Sequence, residues 1–505
     1  MTEFRYLNPI RIGRGLDKLQ RVDGATHRAI HGKFRQRRLR DLTAIAEAVH
    51  LRGRGGAAFP FARKLTAVMR TARTRDCQPV VLVNATEGEP ASAKDKFLLA
   101  HTPHLILDGA MLAAKAMGAR EVVIGLTDTG PAARSLRSAV LESGLRDFVR
   151  LVQLPERFVT GEGGALVNGV NGGPALPPGR KVRAADRGVD GLPTLLSNAE
   201  TYAQLALVSQ LGPDLYSAVG TAEEPGTVLL TVWGADGLPR VIEAPAGVPM
   251  AQVLDLGQAT TGQGVLVGGY HGAWITPAAA NRACVSRESI GRAGGALGAG
   301  VIMTLGEDVC PLGEVARVAA YLGAESAGQC GPCRLGLPAI ARSLNSLVAG
   351  RSTTEALSAV SQGTQTVVGR GACKHPDGSA RFVTSALSTF AADVKVHLAK
   401  GTCGRPVRGS LPIAEDLIAM ETAEAEETGL RMTVDWTRCA GHGLCKHLVP
   451  ELIQLDEHGF PVISNAGVPR RLVGDARQAI EMCPALALRL GDSAAETRHA
   501  VKASR

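Results

Sequence analysis

The sequence predicts an α/β domain built on a parallel sheet, then a short β-rich module, a mainly helical region and a small α+β unit rich in cysteine. Three observations carry this. Short apolar strands alternate with helix-patterned segments through the N-terminal part, the rhythm of βαβ units. The pattern turns strand-like, with tight glycine turns, after residue 225. Cysteines flanked by glycine and proline gather towards the C-terminal end. A chain of 505 residues has room for roughly three or four domains. Most of its 10 cysteines lie after residue 300, without the paired spacing of a disulfide scaffold, which points to metal ligation in a reducing cytosol. No leader pattern opens the chain and no apolar run is long enough to span a bilayer, so a soluble cytoplasmic protein is expected.

Taken in order, residues 31–40 hold five bases and no acid, within a net charge of +9. A nucleic-acid patch is one reading, but no reading motif accompanies these bases, so a solvated helix face is preferred; docking of an acidic redox partner is a third option. Next comes Gly53-Arg54-Gly55-Gly56-Ala57-Ala58-Phe59-Pro60, followed by Lys64. Glycines at that density let backbone N–H groups approach a phosphate, and Arg54 and Lys64 add positive charge. The run Val80–Val83 reads as a buried strand that delivers Asn84-Ala-Thr86-Glu87-Gly88-Glu89-Pro90 and then Lys94-Asp95-Lys96. Polar residues at the carboxyl end of a strand are where open α/β sheets bind ligands. A helix over about residues 103–118 and a strand Glu121–Gly125 continue the rhythm, followed by Thr160-Gly161-Glu162-Gly163-Gly164 and Pro193-Thr194-Leu-Leu-Ser197-Asn198-Ala-Glu200-Thr201.

Near the C-terminal end, Cys439-Ala-Gly-His442-Gly-Leu-Cys445 is answered by Cys483-Pro484. Thiolates are the usual ligands of iron–sulfur clusters, and a closing Cys-Pro recurs in such runs. Three sulfurs suit a 3Fe-4S cluster; His442 as a fourth ligand would complete 4Fe-4S. The segment resembles the small bacterial ferredoxins that carry one cluster. Residues 412–429 hold six acids and no base and read as a linker helix in front of it.

Residues 50–415 resemble the NADH-binding flavoprotein subunit of respiratory complex I and its relatives in NAD-linked hydrogenases and formate dehydrogenases. The family's G-R-G-G-A-G-F-P, N-A-D-E-G-E-P, G-E-E-T-A-L and P-T-x-x-N-N-x-E-T motifs occur here in the same order. The resemblance implies FMN, with Gly53, Arg54, Gly55, Gly56 and Lys64 at its phosphate and ribityl region. Asn84, Glu87, Asn198 and Thr201 would bond the flavin's polar edges, with Glu89 and Glu162 in the same pocket; for Asn198 and Thr201 the alternative is a plain helix cap. The domains implied are an α/β flavin domain (1–224), a β-grasp module (225–272), a helical iron–sulfur domain (285–415), an acidic linker (416–429) and a ferredoxin domain (430–492). The family's cluster motif, E-S-C-G-x-C-x-P-C-R plus a distant cysteine, falls on Glu325–Arg334 and Cys373.

Departures from that pattern matter. Ala327 stands where the first cluster cysteine is expected, leaving Cys330, Cys333 and Cys373. That site then holds 3Fe-4S, recruits Cys310, Cys403, Ser326 or water, or is empty. Cys77 and Cys284 read as packing cysteines. Thr86, Gly163 and Arg183 replace the family's aspartate, second glutamate and nucleotide-stacking aromatic. The sequence thus predicts a soluble oxidoreductase that passes electrons from NADH or NADPH through FMN and an iron–sulfur relay to its ferredoxin domain, without a general acid or base. The acceptor would be a redox protein, a monooxygenase or a larger complex, with no nucleic acid and no membrane span. An electron-transfer flavoprotein without nicotinamide activity is the alternative, and a scaffold that has lost its relay is a third reading.

Overall fold

The structure, a computed structural model, describes residues 3–16, 18–179, 182–414, 430–463, 467–468 and 472–492. It divides into two compact units, residues 2–411 and 412–505, each described by itself. The expected acidic linker at 416–429 lies outside the described residues.

In the larger unit, a first strand β1 (Glu3–Tyr6) precedes β2 (Val80–Ala85), β3 (Val122–Leu126), β4 (Val149–Gln153) and β5 (Thr194–Asn198). Strands β2 to β5 form a parallel sheet in the order β4-β3-β2-β5. The central strands β2 and β3 read as apolar runs because both faces are covered. Val81, Val83, Val122 and Ile124 face one apolar core, while Val80, Leu82 and Val123 face another, as the period of two requires. The helix Pro103–Met117, expected over 103–118, starts on proline and ends at Gly118 with φ +62°. A Cβ on its Gly109 would lie 1.8 Å from the Tyr202 carbonyl oxygen, so only glycine lets it pack this closely on the helix Ala199–Leu211.

The second sheet contains β6 (Thr227–Trp233), β7 (Pro239–Pro245), β8 (Val265–Val267), β9 (Ala273–Ile275) and β10 (Val301–Thr304). Its order is β1-β7-β6-β10-β8-β9. It therefore reaches outside the span 225–272 at both ends. Strand β1 joins it in parallel with β7. Glu243 on β7 explains the attachment: fully buried, it accepts the backbone N–H groups of Arg11, Ile12 and Gly13 and the Thr227 hydroxyl. Strand β10 has four residues, too few for periodicity to mark it.

Five helices follow, Pro311–Ala324, Leu337–Val348, Thr353–Val367, His375–Thr389 and Ala391–Lys400, with a π-helical turn at Pro332–Gly336. In the smaller unit, β11 (Leu430–Val434) pairs antiparallel with β14 (Leu488–Asp492), and β12 (Ile453–Leu455) with β13 (Pro461–Ile463). With the helices Leu444–Leu448 and Val473–Glu481 they enclose a separate core that includes Met432, Cys445, Val449, Ile453 and Ala476. No single helix among the described residues is long and apolar enough to cross a membrane.

Candidate flavin and iron–sulfur sites

Strand order reverses between β2 and β5, so the crevice at their carboxyl ends is the topological switch point of the sheet. Asn84 ends one strand region and Asn198 the other. Asn198 caps the helix Ala199–Leu211 by accepting the Glu200 N–H. Its amide also donates to Asp95 at 2.6 Å and accepts from Lys94 at 3.2 Å. Lys94 is buried and bridges Asp95 (2.8 Å) and Glu200 (3.2 Å). Burial disfavours its cation, but the two carboxylates outweigh burial and raise its pKa. Glu87 sits beside this group, accepting the Ser92 hydroxyl and the N–H groups of Asp95 and Lys96 at the start of the helix Lys94–His101.

The glycine loop closes over Asn198. A Cβ on Gly55 would meet the Asn198 Cβ at 3.3 Å, and Gly56 has φ +102°. Gly53 donates to the Phe59 carbonyl, and the Arg54 N–H donates to the fully buried Thr201 hydroxyl. The Arg54 side chain is buried, and its Nε has no hydrogen-bond partner among the described residues. Lys64 reaches the Leu196 carbonyl (2.6 Å) and Ser197 at the end of β5. Burial lowers its pKa to about 8. A buried guanidinium with an unsatisfied N–H, a half-buried ammonium and a glycine turn fit an anionic phosphate ester such as that of FMN.

Further round the crevice, Asn84 donates to the Gly161 carbonyl and accepts the Thr86 hydroxyl. Glu162 caps the helix Gly163–Val170 through the N–H groups of Gly164 and Ala165. Glu89 is half-buried; one carboxyl oxygen accepts the Tyr270 N–H and the other is buried with no partner among the described residues. Burial pushes its pKa up to about 8. Arg183, in the position of the stacking aromatic, pairs with Asp186 at 2.7 Å and is exposed. Lys94, Asp95 and Glu200 stand inside the sequence motifs, yet the motifs alone give them no role. The signal for one was an aspartate set between two lysines, Lys94-Asp95-Lys96, in a segment that packs into the interior.

Cys330 from just before the π-helical turn, Cys333 from within it and Cys373 from the loop before the helix His375–Thr389 come together. Burial opposes ionisation of Cys330, but the N–H groups of Ala372 and Cys333 at its sulfur win and lower its pKa. Burial and the neighbouring Cys330 push Cys333 up to about 12. Cys373 is likewise raised by burial. Clustered sulfurs that receive backbone N–H groups suit an iron–sulfur cluster. Cys310 does not join them. It caps the start of the helix Pro311–Ala324, whereas Ala327 follows that helix's end; the length of the helix between them is about 21 Å. Cys310 and Cys403 lie instead beside His397.

In the smaller unit, Cys439, His442, Cys445 and Cys483 line one pocket. The Cys483 sulfur accepts the Ala487 N–H at 3.4 Å. Three thiols and an imidazole around one small pocket fit an iron–sulfur cluster.

Three families match this chain: a Nuo51 FMN-binding domain over residues 46–207, an NADH-ubiquinone oxidoreductase-F iron–sulfur binding region over 313–397, and a 4Fe-4S single cluster domain over 432–490. These matches make the chain similar to the flavoprotein subunit of complex I, with a single-cluster 4Fe-4S domain matched behind that region. An NADH-quinone oxidoreductase subunit of Mycobacterium tuberculosis is 28% identical over 403 residues, covering 75% of this chain and 89% of the relative. The mitochondrial NADH dehydrogenase flavoprotein 1 of Dictyostelium discoideum is 24% identical over 365 residues, covering 68% and 76%. An NAD+-reducing NiFe-hydrogenase in its air-oxidized state superimposes with a TM-score of 0.68 at 25% identity, covering 79% of this chain and 68% of the hydrogenase chain.

Proposed function

We propose that the chain is an NAD(P)H-oxidising enzyme that delivers electrons, through FMN and iron–sulfur sites, to its own ferredoxin domain and on to a redox protein or larger oxidoreductase complex. FMN when bound supplies hydride acceptance, and iron–sulfur clusters supply single-electron transfer. Gly53–Gly56, Arg54 and Lys64 hold the phosphate end; Asn84, Glu87, Asn198 and Thr201 shape and stiffen the crevice; Cys330, Cys333 and Cys373 hold the cluster of the larger unit.

The observation that supports this reading is the continuity between crevice and cluster loops. A Cβ on Gly88 would lie 2.5 Å from the Arg157 carbonyl oxygen, so the β2 loop packs directly on Arg157–Phe158. The Phe158 N–H donates to Glu325, two residues before Ala327, and its ring meets His375 edge-on, two residues after Cys373. Flavin crevice and cysteine loops are thus tied through one aromatic residue, an arrangement suited to electron exchange over short distance. Anaerobic addition of NADH, then NADPH, tests the proposal: the flavin band is expected to bleach, followed by magnetic-resonance signals of reduced clusters. If dithionite reduces the protein but neither nucleotide does, the proposal fails.

That failure would favour the second reading, an electron-transfer flavoprotein reduced by another protein. Its support is Arg183, engaged with Asp186 where relatives carry an aromatic, together with Gly163 in place of a glutamate.

A further inference from the structure

We infer that Cys310, His397 and Cys403 form a zinc site, distinct from the iron–sulfur cysteines, that pins the last stretch of the larger unit to its helices. The ligand atoms of the three residues lie within 4.8 Å of one another. The Cys310 sulfur is 3.5 Å from His397 Nε2. Tetrahedral zinc with Zn–S about 2.3 Å and Zn–N about 2.05 Å places sulfur and nitrogen about 3.6 Å apart. The spacing is therefore that of two ligands on one ion.

The donor chemistry agrees. Cys310 and His397 are buried, and Cys403 is half-buried. Two thiolates and a neutral imidazole cancel the charge of a divalent zinc ion, so the loaded site carries no net charge into the interior. The Gly313 N–H, at a helix start, donates to the Cys310 sulfur, which favours the thiolate. His397 Nδ1 has no hydrogen-bond partner among the described residues, and the Leu347 and Gly401 carbonyls lie in contact range of the imidazole. Zinc on Nε2 fixes the proton on Nδ1 and draws that contact tight, the usual support of a metal-bound histidine. The half-exposed side, at Cys403, leaves the fourth position to water.

The site has a mechanical context. Residues 401–411 run across the bundle held by Glu314, whose buried carboxylate accepts the N–H groups of Arg408, Gly409 and Leu411. Cys310 donates its N–H to the Pro406 carbonyl, and Arg405 pairs with Asp393 one turn before His397. Zinc would join this strap to two helices at the point where the larger unit ends.

Metal analysis of the full chain, purified anaerobically with flavin and iron measured together, tests the site. One zinc per chain is expected in addition to iron. Zinc-edge X-ray absorption should give a shell of two sulfurs, one nitrogen and one oxygen. His397→Ala and Cys403→Ser should each lose the zinc while flavin and iron content stay at the parent value. Chelation of the parent protein should speed tryptic cleavage after Arg408, the arginine of this strap that proline does not follow. The parent absorption spectrum decides the matter even if a variant does not fold. Zinc absent after purification and not taken up by the reduced protein would overturn the inference. So would a Cys310–Cys403 disulfide on mass mapping, or iron in this position, seen as a cluster signal that disappears in Cys403→Ser. None of these results bears on nicotinamide oxidation.

Discussion

Asn84 and Asn198 are paired across β2 and β5, and the Asn198 amide donates to the Asn84 carbonyl at 3.4 Å. The pairing sits where the strand order reverses, so the two polar side chains stand at the mouth of the crevice. Asn198 also holds the glycine loop, the helix cap and the Lys94–Asp95 pair together. Removing it strikes all four.

Asn198→Ala is accordingly expected to lower stability by about 1–3 kcal/mol, from the lost cap and a stranded buried carboxylate. Flavin content should fall with it. Asn198→Asp keeps the cap acceptor but sets a second carboxylate against Asp95, so it should lose flavin while retaining the helix. Flavin-to-protein ratio and denaturant midpoint measure both. Two variants with parental values would show that Asn198 is not the hub.

Lys64 gives a pH signature. Its pKa is lowered by burial to about 8, and a phosphate bound nearby would raise it again. The bound state then holds more protons above pH 8, so FMN affinity should fall as pH rises, by at most about tenfold per unit. Lys64→Met should bind weakly and without this dependence. Reconstitution of the apoprotein at several pH values reads the slope; a flat profile for the parent protein would remove Lys64 from the phosphate end.

Glu89 supplies the opposite kind of test. Burial raises its carboxyl from 4.5 to about 8, so the folded state binds the proton more tightly than the unfolded chain. Its contribution to stability is complete below pH 4.5 and is lost as pH rises towards 8, with a slope of up to about 1.4 kcal/mol per unit. Glu89→Gln, an isostere of the protonated acid, should flatten that part of the curve. Denaturant midpoints from pH 5 to 8 decide it.

The parallel sheet was legible because strands buried on both faces read as unbroken apolar runs, as Val80–Val83 does. The glycine loop and its neighbours were legible as local motifs. What the sequence hid is long-range. Glu243 recruiting the N-terminal segment to the second sheet leaves no local trace, since one glutamate in a strand reads as a surface residue. The same holds for Cys310, which spacing alone offered as a substitute ligand; only the length of the helix between it and Ala327 removes it.

In the ferredoxin domain, Cys483→Ser should abolish the cluster signal, because its sulfur is one of three lining the pocket. His442→Ala distinguishes the two cluster types. Unchanged iron stoichiometry and spectrum would mean three thiolates suffice; loss of one iron would mark His442 as the fourth ligand. Segment 430–492, which has its own core, can be used for both measurements.

Ala327→Cys is the most informative substitution in the larger unit. A methyl group cannot bind iron, and Cys330, Cys333 and Cys373 are already grouped, with backbone N–H groups aimed at Cys330. The position follows Glu325 and Ser326, which are fixed to the α/β domain through the Phe158 N–H and the Arg157 guanidinium. A new thiolate there would enter a held loop rather than a free one. If the native site is 3Fe-4S, Ala327→Cys should take up one further iron and replace the signal of the oxidised three-iron cluster with that of a reduced four-iron cluster. Cys310→Ser should leave this site's signal unchanged, since Cys310 lies at the far end of the preceding helix. Iron analysis with magnetic resonance of both variants separates the outcomes. No signal from this site in either parent or Ala327→Cys would mean that the relay is lost and that electrons must reach the ferredoxin domain directly from the flavin.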